Sequence, residues 1–327
     1  MDSKRECIEA VNALFAEKKA KNENLRLTRL SEITARFPEI KEIDSALKKN
    51  VSECMEFMMS RGRDEKKMLS YRERSRALQE KRAKILGDGG YPENYTDPIY
   101  DCPVCKDTGS VGLENCECYK RELSLEYLKR SKIAPEMKKL SFKDFKLDYY
   151  SKDKQCETGQ SQYETAKTIL AFSKKYVSDF NKKKINLLFH GSPGCGKTFL
   201  SCLIGTELIK RGNFVIYTSL QDLLDVFERE KFGREKSSES DADVFLDCDF
   251  LIIDDLGAEF QSSFSTSCLY HVINSRINRK SPFIISTNLS LKEIESSYDA
   301  RLSSRIVYET VNIPFPKVDI RLERKKK

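Results

Sequence analysis

The first quarter of the chain carries hydrophobic residues at the spacing of amphipathic α-helices, set among many charged residues. Ile8, Val11 and Phe15 fall on one face of a first predicted helix. Pro38 is suited to begin a second helix, because its missing N–H group costs little in a first turn. Hydrophobic residues then recur as in a coiled coil, at Ile40, Ile43, Leu47, Val51 and Met58. We predict a helical region over residues 1–86 that packs on itself or on a partner protein.

Glycine and proline end this helical pattern at residues 87–92, where the sequence reads GDGGYP. Residues 87–135 form a second predicted region, which is rich in loops at first and helical over 121–135. The segment 136–160 that follows has no regular pattern, and its aromatic anchors are Phe142, Phe145, Tyr149 and Tyr150.

From about residue 161 onward, helical patterns alternate with short hydrophobic strands. The predicted strands cover residues 185–189, 214–218, 250–254, 283–286 and 308–311. This alternation predicts an α/β fold in which helices cover both faces of a five-stranded parallel sheet. We assign this third region to residues 136–327.

The composition excludes some classes of protein and leaves others open. Charged residues make up 33% of the 327 positions, and the formal net charge is +7. That excess is compatible with nucleic-acid binding, but many ordinary protein surfaces carry as much. No hydrophobic stretch is long enough to span a membrane, and the first residues lack the hydrophobic core of a secretory signal. Eleven cysteines in such a chain indicate a reducing compartment, so we expect a cytoplasmic protein.

The strand predicted at 185–189 runs into the pattern G-x-x-x-x-G-K-T. Its glycines let backbone N–H groups approach phosphate oxygens, and the N-terminus of the next helix adds its positive dipole end. Lys197 can reach the β- and γ-phosphates of a nucleotide, and the Thr198 hydroxyl can ligate Mg²⁺. The alternative, a chance match in an unrelated loop, does not explain the strand before it and the helix after it. The predicted nucleotide-binding residues are Gly191, Ser192, Pro193, Gly194, Cys195, Gly196, Lys197, Thr198 and Phe199.

Two later strands end in polar residues that suit the same chemistry. Asp254 ends the strand predicted at 250–254, and Asp255 follows it. We predict that Asp254 holds Mg²⁺ and that Asp255 orients or deprotonates the attacking water. Asn288 follows the next strand and is expected to contact the γ-phosphate or the water. The alternative for these residues is a helix cap and an ordinary turn.

Arg301 and Arg305 lie four residues apart, on one face of a predicted helix. An arginine presented to the γ-phosphate held by a neighbouring subunit would stabilise the charge of the transition state. The alternative is a surface arginine that pairs with Glu295 or Asp299.

Four cysteines lie within one short segment: Cys102, Cys105, Cys116 and Cys118. Two close pairs separated by a glycine-containing loop predict a tetrahedral Zn²⁺ site made of four thiolates. The C-x-C spacing of the second pair is tighter than usual, and the alternative is a group of reduced structural cysteines. The expected role of the metal is structural, because this segment has too little hydrophobic core to fold alone.

Together these motifs resemble the AAA+ ATPases, and among them the bacterial helicase loaders of the DnaC/DnaI type. The sequences GYPENY at 90–95, CPVCKDTG at 102–109 and DIR at 319–321 share the resemblance. It implies an AAA+ P-loop core that binds and hydrolyses ATP, associates with the replicative DNA helicase and with copies of itself, and contacts single-stranded DNA. By position it assigns a Walker A pair at Lys197 and Thr198, the Mg²⁺ carboxylate at Asp254, sensor 1 at Asn288, an arginine finger at Arg305 and a sensor 2 arginine at Arg321.

This sequence departs from the AAA+ pattern in two ways. Many AAA+ proteins have Glu where this chain has Asp255, which puts the strength of hydrolysis in question. The chain ends soon after Arg321, so we expect no C-terminal lid domain. A segment containing Lys231, Arg234 and Lys236 matches the position of a DNA-facing helical element in related ATPases, and a solvated loop is the alternative reading.

Our leading hypothesis is an ATP-dependent loader of the replicative DNA helicase whose hydrolysis is slow and increases on assembly. An IstB-type transposition helper shares the core, but it is not expected to carry the four-cysteine unit. A non-catalytic ATP-binding adaptor is the third possibility, because Asp255 replaces the usual Glu.

Overall fold

The computed structural model describes residues 4–60, 64–156, 159–232 and 242–325. The chain folds as two compact units, which we call the helical unit (Asn12–Cys116) and the ATPase unit (Met1–Val11 with Glu117–Lys327). The regional boundaries at residues 86 and 135 stay a prediction. Within the described ranges, no helix is both long enough and hydrophobic enough to cross a bilayer.

Helix α1 (Lys4–Arg36) begins in the ATPase unit, and its part from Asn12 onward, with α2 (Pro38–Met59) and α3 (Glu65–Asp88), makes up most of the helical unit. Pro38 lies in the first turn of α2, as predicted, and the Asp64 carboxylate caps α3 by accepting the N–H groups of Lys66 and Lys67. The loop after α3 packs back on α1, where the Glu32 carboxylate accepts hydrogen bonds from the hydroxyls of Tyr91 and Tyr95 at 2.9 and 3.0 Å.

The predicted hydrophobic seam of α2 is wrong beyond its first half. Ile40 and Ile43 are buried, but Val51 and Met58 are 48% and 52% exposed. Alternating steps of three and four residues from Ile40 lead instead to Asn50, which is 1% exposed and faces α3. Its amide nitrogen donates to the Tyr71 carbonyl and to the Ser75 hydroxyl, both at 2.8 Å. A polar residue therefore occupies a position that a hydrophobicity pattern passes over.

The ATPase unit begins with α4 (Glu117–Arg130), followed by three single-turn 3₁₀ helices at Met137–Lys139, Phe142–Asp144 and Leu147–Tyr149. The helices of its core are α5 (Gln162–Asp179), α6 (Lys197–Lys210), α7 (Leu220–Phe232), α8 (Asp243–Asp247), α9 (Ser263–Asn278), α10 (Leu291–Ser297), α11 (Ala300–Tyr308) and α12 (Ile320–Lys325). The hairpin strands β1 (Ser110–Val111) and β2 (Glu114–Asn115) belong to the helical unit.

A five-stranded parallel sheet forms the centre of the ATPase unit, which confirms the predicted fold class. Its strands are β3 (Leu187–His190), β4 (Val215–Ser219), β5 (Phe250–Leu256), β6 (Phe283–Thr287) and β7 (Val311–Pro314), in the order β4-β5-β6-β3-β7. The strand predicted at 308–311 is misplaced, because Tyr308 still belongs to α11. Ile306 and Val307 are buried as part of that helix, and β7 starts at Val311.

Candidate active site

The strand order places the predicted phosphate loop and the predicted polar residues at one edge of the sheet. Strand β6 lies between β3 and β5, and all three run parallel. The carboxyl end of β3 continues into the glycine-rich loop, β5 ends near Asp254, and Asn288 follows β6. Ligands of open parallel sheets bind at these carboxyl ends, beside the point where the strand order changes.

The loop between β3 and α6 has the form of a phosphate cradle. Gly196, at the N-cap of α6, has φ +102°, a conformation that side-chain-bearing residues rarely adopt. Lys197 is 5% exposed, and its ammonium group donates to the carbonyls of Gly191 (2.7 Å) and Ser192 (2.9 Å) and to Asn288 Oδ1 (2.9 Å). The Ser192 hydroxyl is buried without a hydrogen-bond partner in the described structure. Phosphate oxygens are acceptors that suit both the lysine and this hydroxyl, so the residues fit a nucleotide.

Hydroxyl groups from three elements surround the Asp254 carboxylate, which is 3% exposed. Thr198 Oγ1 donates to Asp254 Oδ1 at 3.1 Å, and the Ser286 hydroxyl donates to the same oxygen. The Tyr217 hydroxyl donates to Oδ2 at 2.7 Å, and burial together with this hydrogen bond raises the pKa of Tyr217. A threonine hydroxyl beside a carboxylate is an oxygen donor set of the kind that Mg²⁺ prefers.

Asp255 lies next to this carboxylate in a strained backbone conformation, with φ +57°. Its side chain faces the cavity that Lys197 and Asn288 also line. Partial burial and the charge of Asp254 raise the pKa of Asp255, although Lys197 and Arg321 oppose the shift. A carboxylate with a raised pKa is a better proton acceptor at neutral pH than an ordinary aspartate.

A cavity of about 630 Å³ adjoins the glycine-rich loop. Its apolar part is lined by Met137, Leu140, Phe145, Tyr149 and Tyr150 from the 3₁₀ segment. Tyr150 is 3% exposed and donates its hydroxyl to the Cys195 carbonyl at 2.9 Å, which ties this segment to the loop. Sequence reasoning treated these aromatic residues only as anchors; the signal that it missed is an aromatic cluster shortly before a phosphate loop.

The segment that enters α12 packs on the glycine-rich loop. The Ile320 N–H donates to the Gly194 carbonyl at 2.9 Å, and the Asp319 carboxylate lies where a side chain at residue 194 would have to go. Arg321 and Arg324 line the cavity from this side. Arg321 is therefore close to the predicted nucleotide site, and the contacts of Asp319 and Ile320 were not foreseen.

Comparison with known proteins shows which family this chain belongs to. Residues 127–322 match the family described as IstB-like ATP binding protein. The chain belongs to this IstB-like family. It is 24% identical over 202 residues to the protein named replicative helicase loader DnaC of Escherichia coli strain K12, covering 62% of this chain and 77% of that protein. A protein of the same name from Buchnera aphidicola (Baizongia pistaciae) is 25% identical over 146 residues, covering 44% and 59%.

The solved structures that match this chain include crystal structures of DnaI and of the DnaC helicase loader. The DnaI structure matches with a TM-score of 0.46 and 22% identity, over 57% of this chain and 95% of that one. The DnaC structure matches with a TM-score of 0.43 and 23% identity, over 54% and 98%.

Among the described residues of this IstB-like chain, Arg305 and Lys231 do not line the cavity. Arg305 instead contacts α9. Of the three basic residues expected near DNA, Lys231 places its ammonium group 4.8 Å from the centre of the Phe264 ring, whereas Arg234 and Lys236 lie outside the described residues.

The four predicted zinc ligands come together. The Sγ atoms of Cys102, Cys105, Cys116 and Cys118 lie within 4.8 Å of one another, and those of Cys102 and Cys116 are 3.9 Å apart. Tetrahedral Zn²⁺ with bonds of about 2.3 Å separates its sulfur ligands by about 3.8 Å, so the group fits the metal.

A carboxylate that the sequence analysis did not identify stabilises the turn that carries Cys102 and Cys105. Asp107 accepts the N–H groups of Asp101 (3.0 Å) and Cys102 (2.8 Å), together with the Asn22 amide at 3.0 Å. Burial raises the pKa of Asp107, but these hydrogen bonds outweigh it and leave the pKa below its ordinary value. The side chain therefore holds the turn as an ionised acceptor.

Proposed function

We propose that this protein is an ATP-driven loader of the replicative DNA helicase. Its likeness to proteins named replicative helicase loader, over 62% of the chain, is the observation that carries this proposal. Membership of an ATP-binding family and the grouping of Lys197, Thr198, Asp254 and Asn288 support the nucleotide part.

In this proposal the triphosphate lies in the loop 191–198 and the base lies against the apolar part of the cavity. Lys197 exchanges the Gly191 and Ser192 carbonyls for β- and γ-phosphate oxygens, and Arg321 approaches the phosphates from α12. Thr198 and Asp254 would hold Mg²⁺, and the metal would neutralise part of the phosphate charge. The remaining loop residues, Pro193, Gly194, Cys195, Gly196 and Phe199, shape the cradle around the phosphates.

Hydrolysis in this proposal depends on Asp255 and Asn288. Asp255 accepts a proton from the attacking water, and its raised pKa suits that task. Asn288, whose Oδ1 contacts Lys197, orients the water or the γ-phosphate. We expect slow turnover in the isolated chain, since the arginine that completes the site, Arg305, comes from a neighbouring copy.

The end of the α2–α3 hairpin is the surface that we propose for helicase binding. Met55, Met58, Met59 and Leu69 are 56%, 52%, 85% and 54% exposed there, and we call these four residues the hairpin tip. Methionine side chains are flexible and polarisable, so such surfaces adapt to partner proteins. Exposed hydrophobic groups close together mark interaction sites more often than plain surface.

The zinc site formed by the four cysteines has a structural role in this proposal. Single-stranded DNA contacts the ATPase unit near Lys231 and Phe264, where a base can stack on the Phe264 ring.

Capture of the purified replicative helicase tests the proposal. We expect the wild-type chain to retain the helicase, and the double variant Met58→Asp, Met59→Asp to lose at least tenfold in affinity while binding ATP as before. Leu125→Asp is the matched control, because Leu125 is an exposed residue (49%) in the ATPase unit. If both variants bind the helicase equally well, the hairpin tip is not the contact. If the wild-type chain does not bind it, the proposed function is wrong.

A transposition helper is the second candidate, because the matching family is described as IstB-like. The two functions differ in partner. A chain that stimulates strand transfer by its neighbouring transposase and ignores the helicase would favour the helper. Mg²⁺-dependent ATP turnover no higher than that of Lys197→Ala would favour a non-catalytic adaptor.

A further inference from the structure

Among the described residues, no carboxylate forms an ion pair with the guanidinium of Arg305. Its Nε donates to Asn274 Oδ1 at 2.8 Å and its Nη1 donates to the Arg301 carbonyl at 3.1 Å. The guanidinium carbon lies 4.7 Å from the centre of the Tyr270 ring.

The two carboxylates that the sequence offers as partners are engaged elsewhere. Asp299 caps α11, because its Oδ1 accepts the N–H groups of Arg301 (2.9 Å) and Leu302 (2.8 Å). Glu295 accepts the hydroxyl of Tyr308 at 3.1 Å. The interpretation of Arg305 as a surface arginine paired with Glu295 or Asp299 is therefore wrong.

The contacts of Arg305 fix its direction without cancelling its charge. Tyr270 and Asn274 lie one turn apart on α9, so they present a ring face and an amide oxygen side by side. Both are uncharged, and Nη2 makes no hydrogen bond within the described part of the chain. An arginine held in place but unneutralised is prepared to meet an anion. Arg305 does not line the cavity of its own chain, so a phosphate that it meets would be one bound by another molecule.

We propose that Asn274 and Tyr270 are positioning residues that aim Arg305 at the γ-phosphate bound by a neighbouring copy of this chain. The inference rests on the proposed function, in that it needs copies that assemble around ATP. A misplacement of about 1 Å can cost about 100-fold in rate. We expect Asn274→Ala to lower assembly-stimulated turnover by about 10- to 100-fold and to leave the Kd for ATP within twofold.

Three further variants, Asn274→Asp, Tyr270→Phe and Tyr270→Leu, separate orientation from charge. Asn274→Asp still accepts the hydrogen bond from Nε, but it neutralises the guanidinium, so stimulated turnover falls with it as well. Tyr270→Phe keeps the ring face and should retain turnover within twofold, whereas Tyr270→Leu loses it. Asn278→Ala, at an exposed position one turn further along α9, is the matched control. Melting temperatures show that each variant is folded.

A mixing experiment tests the action between copies. An Asn274→Ala chain has an intact ATP site, and a Lys197→Ala chain has an intact Arg305. Turnover should recover severalfold when the two are mixed, since the second chain supplies a correctly held arginine to the first. Mixing Asn274→Ala with Arg305→Ala should give no recovery.

Each result assigns a separate failure. If Arg305→Ala keeps the stimulated turnover, or if wild-type turnover does not rise on assembly, the proposed arginine finger is wrong and this inference falls with it. If Arg305→Ala loses turnover but Asn274→Ala does not, only the positioning role is wrong. If Asn274→Ala loses turnover and mixing with Lys197→Ala does not restore it, Asn274 acts within its own chain and the inference is overturned.

Discussion

Tyr217→Phe removes one hydroxyl from the predicted magnesium site and keeps the aromatic ring. That hydroxyl donates to Asp254 Oδ2 at 2.7 Å, and the carboxylate is almost completely buried. The Thr198 and Ser286 hydroxyls both reach the other oxygen, Oδ1. The substitution therefore takes away the side-chain donor recorded for Oδ2 and leaves a buried charge less well solvated.

The expected size of the effect follows from burial. A hydrogen bond to a charged group contributes about 1.5–3 kcal/mol, so we expect the free energy of unfolding without metal to fall by that amount. Loss of a group that orients a metal-ligating carboxylate costs about 10- to 100-fold in metal affinity. The apparent affinity for Mg²⁺ in the presence of ATP should therefore fall at least tenfold.

Tyr308→Phe is the matched control for this prediction. Its hydroxyl also donates to a carboxylate, that of Glu295, but over 3.1 Å and from a residue that is 74% exposed. Substitutions at such surface positions usually change stability by less than about 0.5 kcal/mol. Urea denaturation followed by circular dichroism measures stability, and a Mg²⁺ titration with a fluorescent ATP analogue measures metal affinity. Equal effects of Tyr217→Phe and Tyr308→Phe would show that the buried hydroxyl of Tyr217 does not stabilise the Asp254 carboxylate.

Two further predictions concern a buried arginine of the ATPase unit and the four clustered cysteines. Arg276 is fully buried and donates hydrogen bonds to the carbonyls of Phe245, Cys248 and Pro282. Arg276→Met leaves these three buried acceptors without their donor, and each loss costs about 1–3 kcal/mol. The free energy of unfolding should therefore fall by at least about 3 kcal/mol. Arg279→Ala breaks the exposed ion pair between Arg279, which directly follows α9, and Asp247 of α8, and it should cost less than about 1 kcal/mol. Similar urea midpoints for Arg276→Met and Arg279→Ala would show that the buried hydrogen bonds of Arg276 do not stabilise the fold. The purified chain should contain one zinc ion, measured by atomic absorption. A strong chelator or the substitution Cys105→Ser should lower its melting temperature. A purified chain without metal, whose melting temperature neither treatment changes, would exclude the zinc site.

The parts of the site that are contiguous in sequence were predictable. The loop 191–198 is recognisable from glycines, a lysine and a threonine at fixed spacing, because phosphate binding constrains the types of residues that are adjacent in sequence. Asp254 and Asn288 were found for a related reason, since each follows a strand whose hydrophobic pattern is plain. The cysteine spacing likewise predicted the sulfur cluster.

Contacts made between distant elements were not predictable from one sequence. Tyr217 reaches Asp254 because β4 lies beside β5, and the chain order does not state which strands are neighbours. The Ile320 N–H donates to the Gly194 carbonyl, although the two residues lie far apart in the sequence. The error at Val51 has another cause, since a polar residue, Asn50, takes the buried position and a hydrophobic pattern cannot register it.

Transfer of the replicative helicase onto circular single-stranded DNA tests whether this protein is an ATP-driven helicase loader. With ATP and Mg²⁺, the wild-type chain should deposit active helicase on the circle, measured as unwinding of an annealed oligonucleotide. The Lys197→Ala chain should fail to do so at the same concentration. Equal unwinding with the wild-type chain, with Lys197→Ala and with no added chain would show that the protein does not load the helicase.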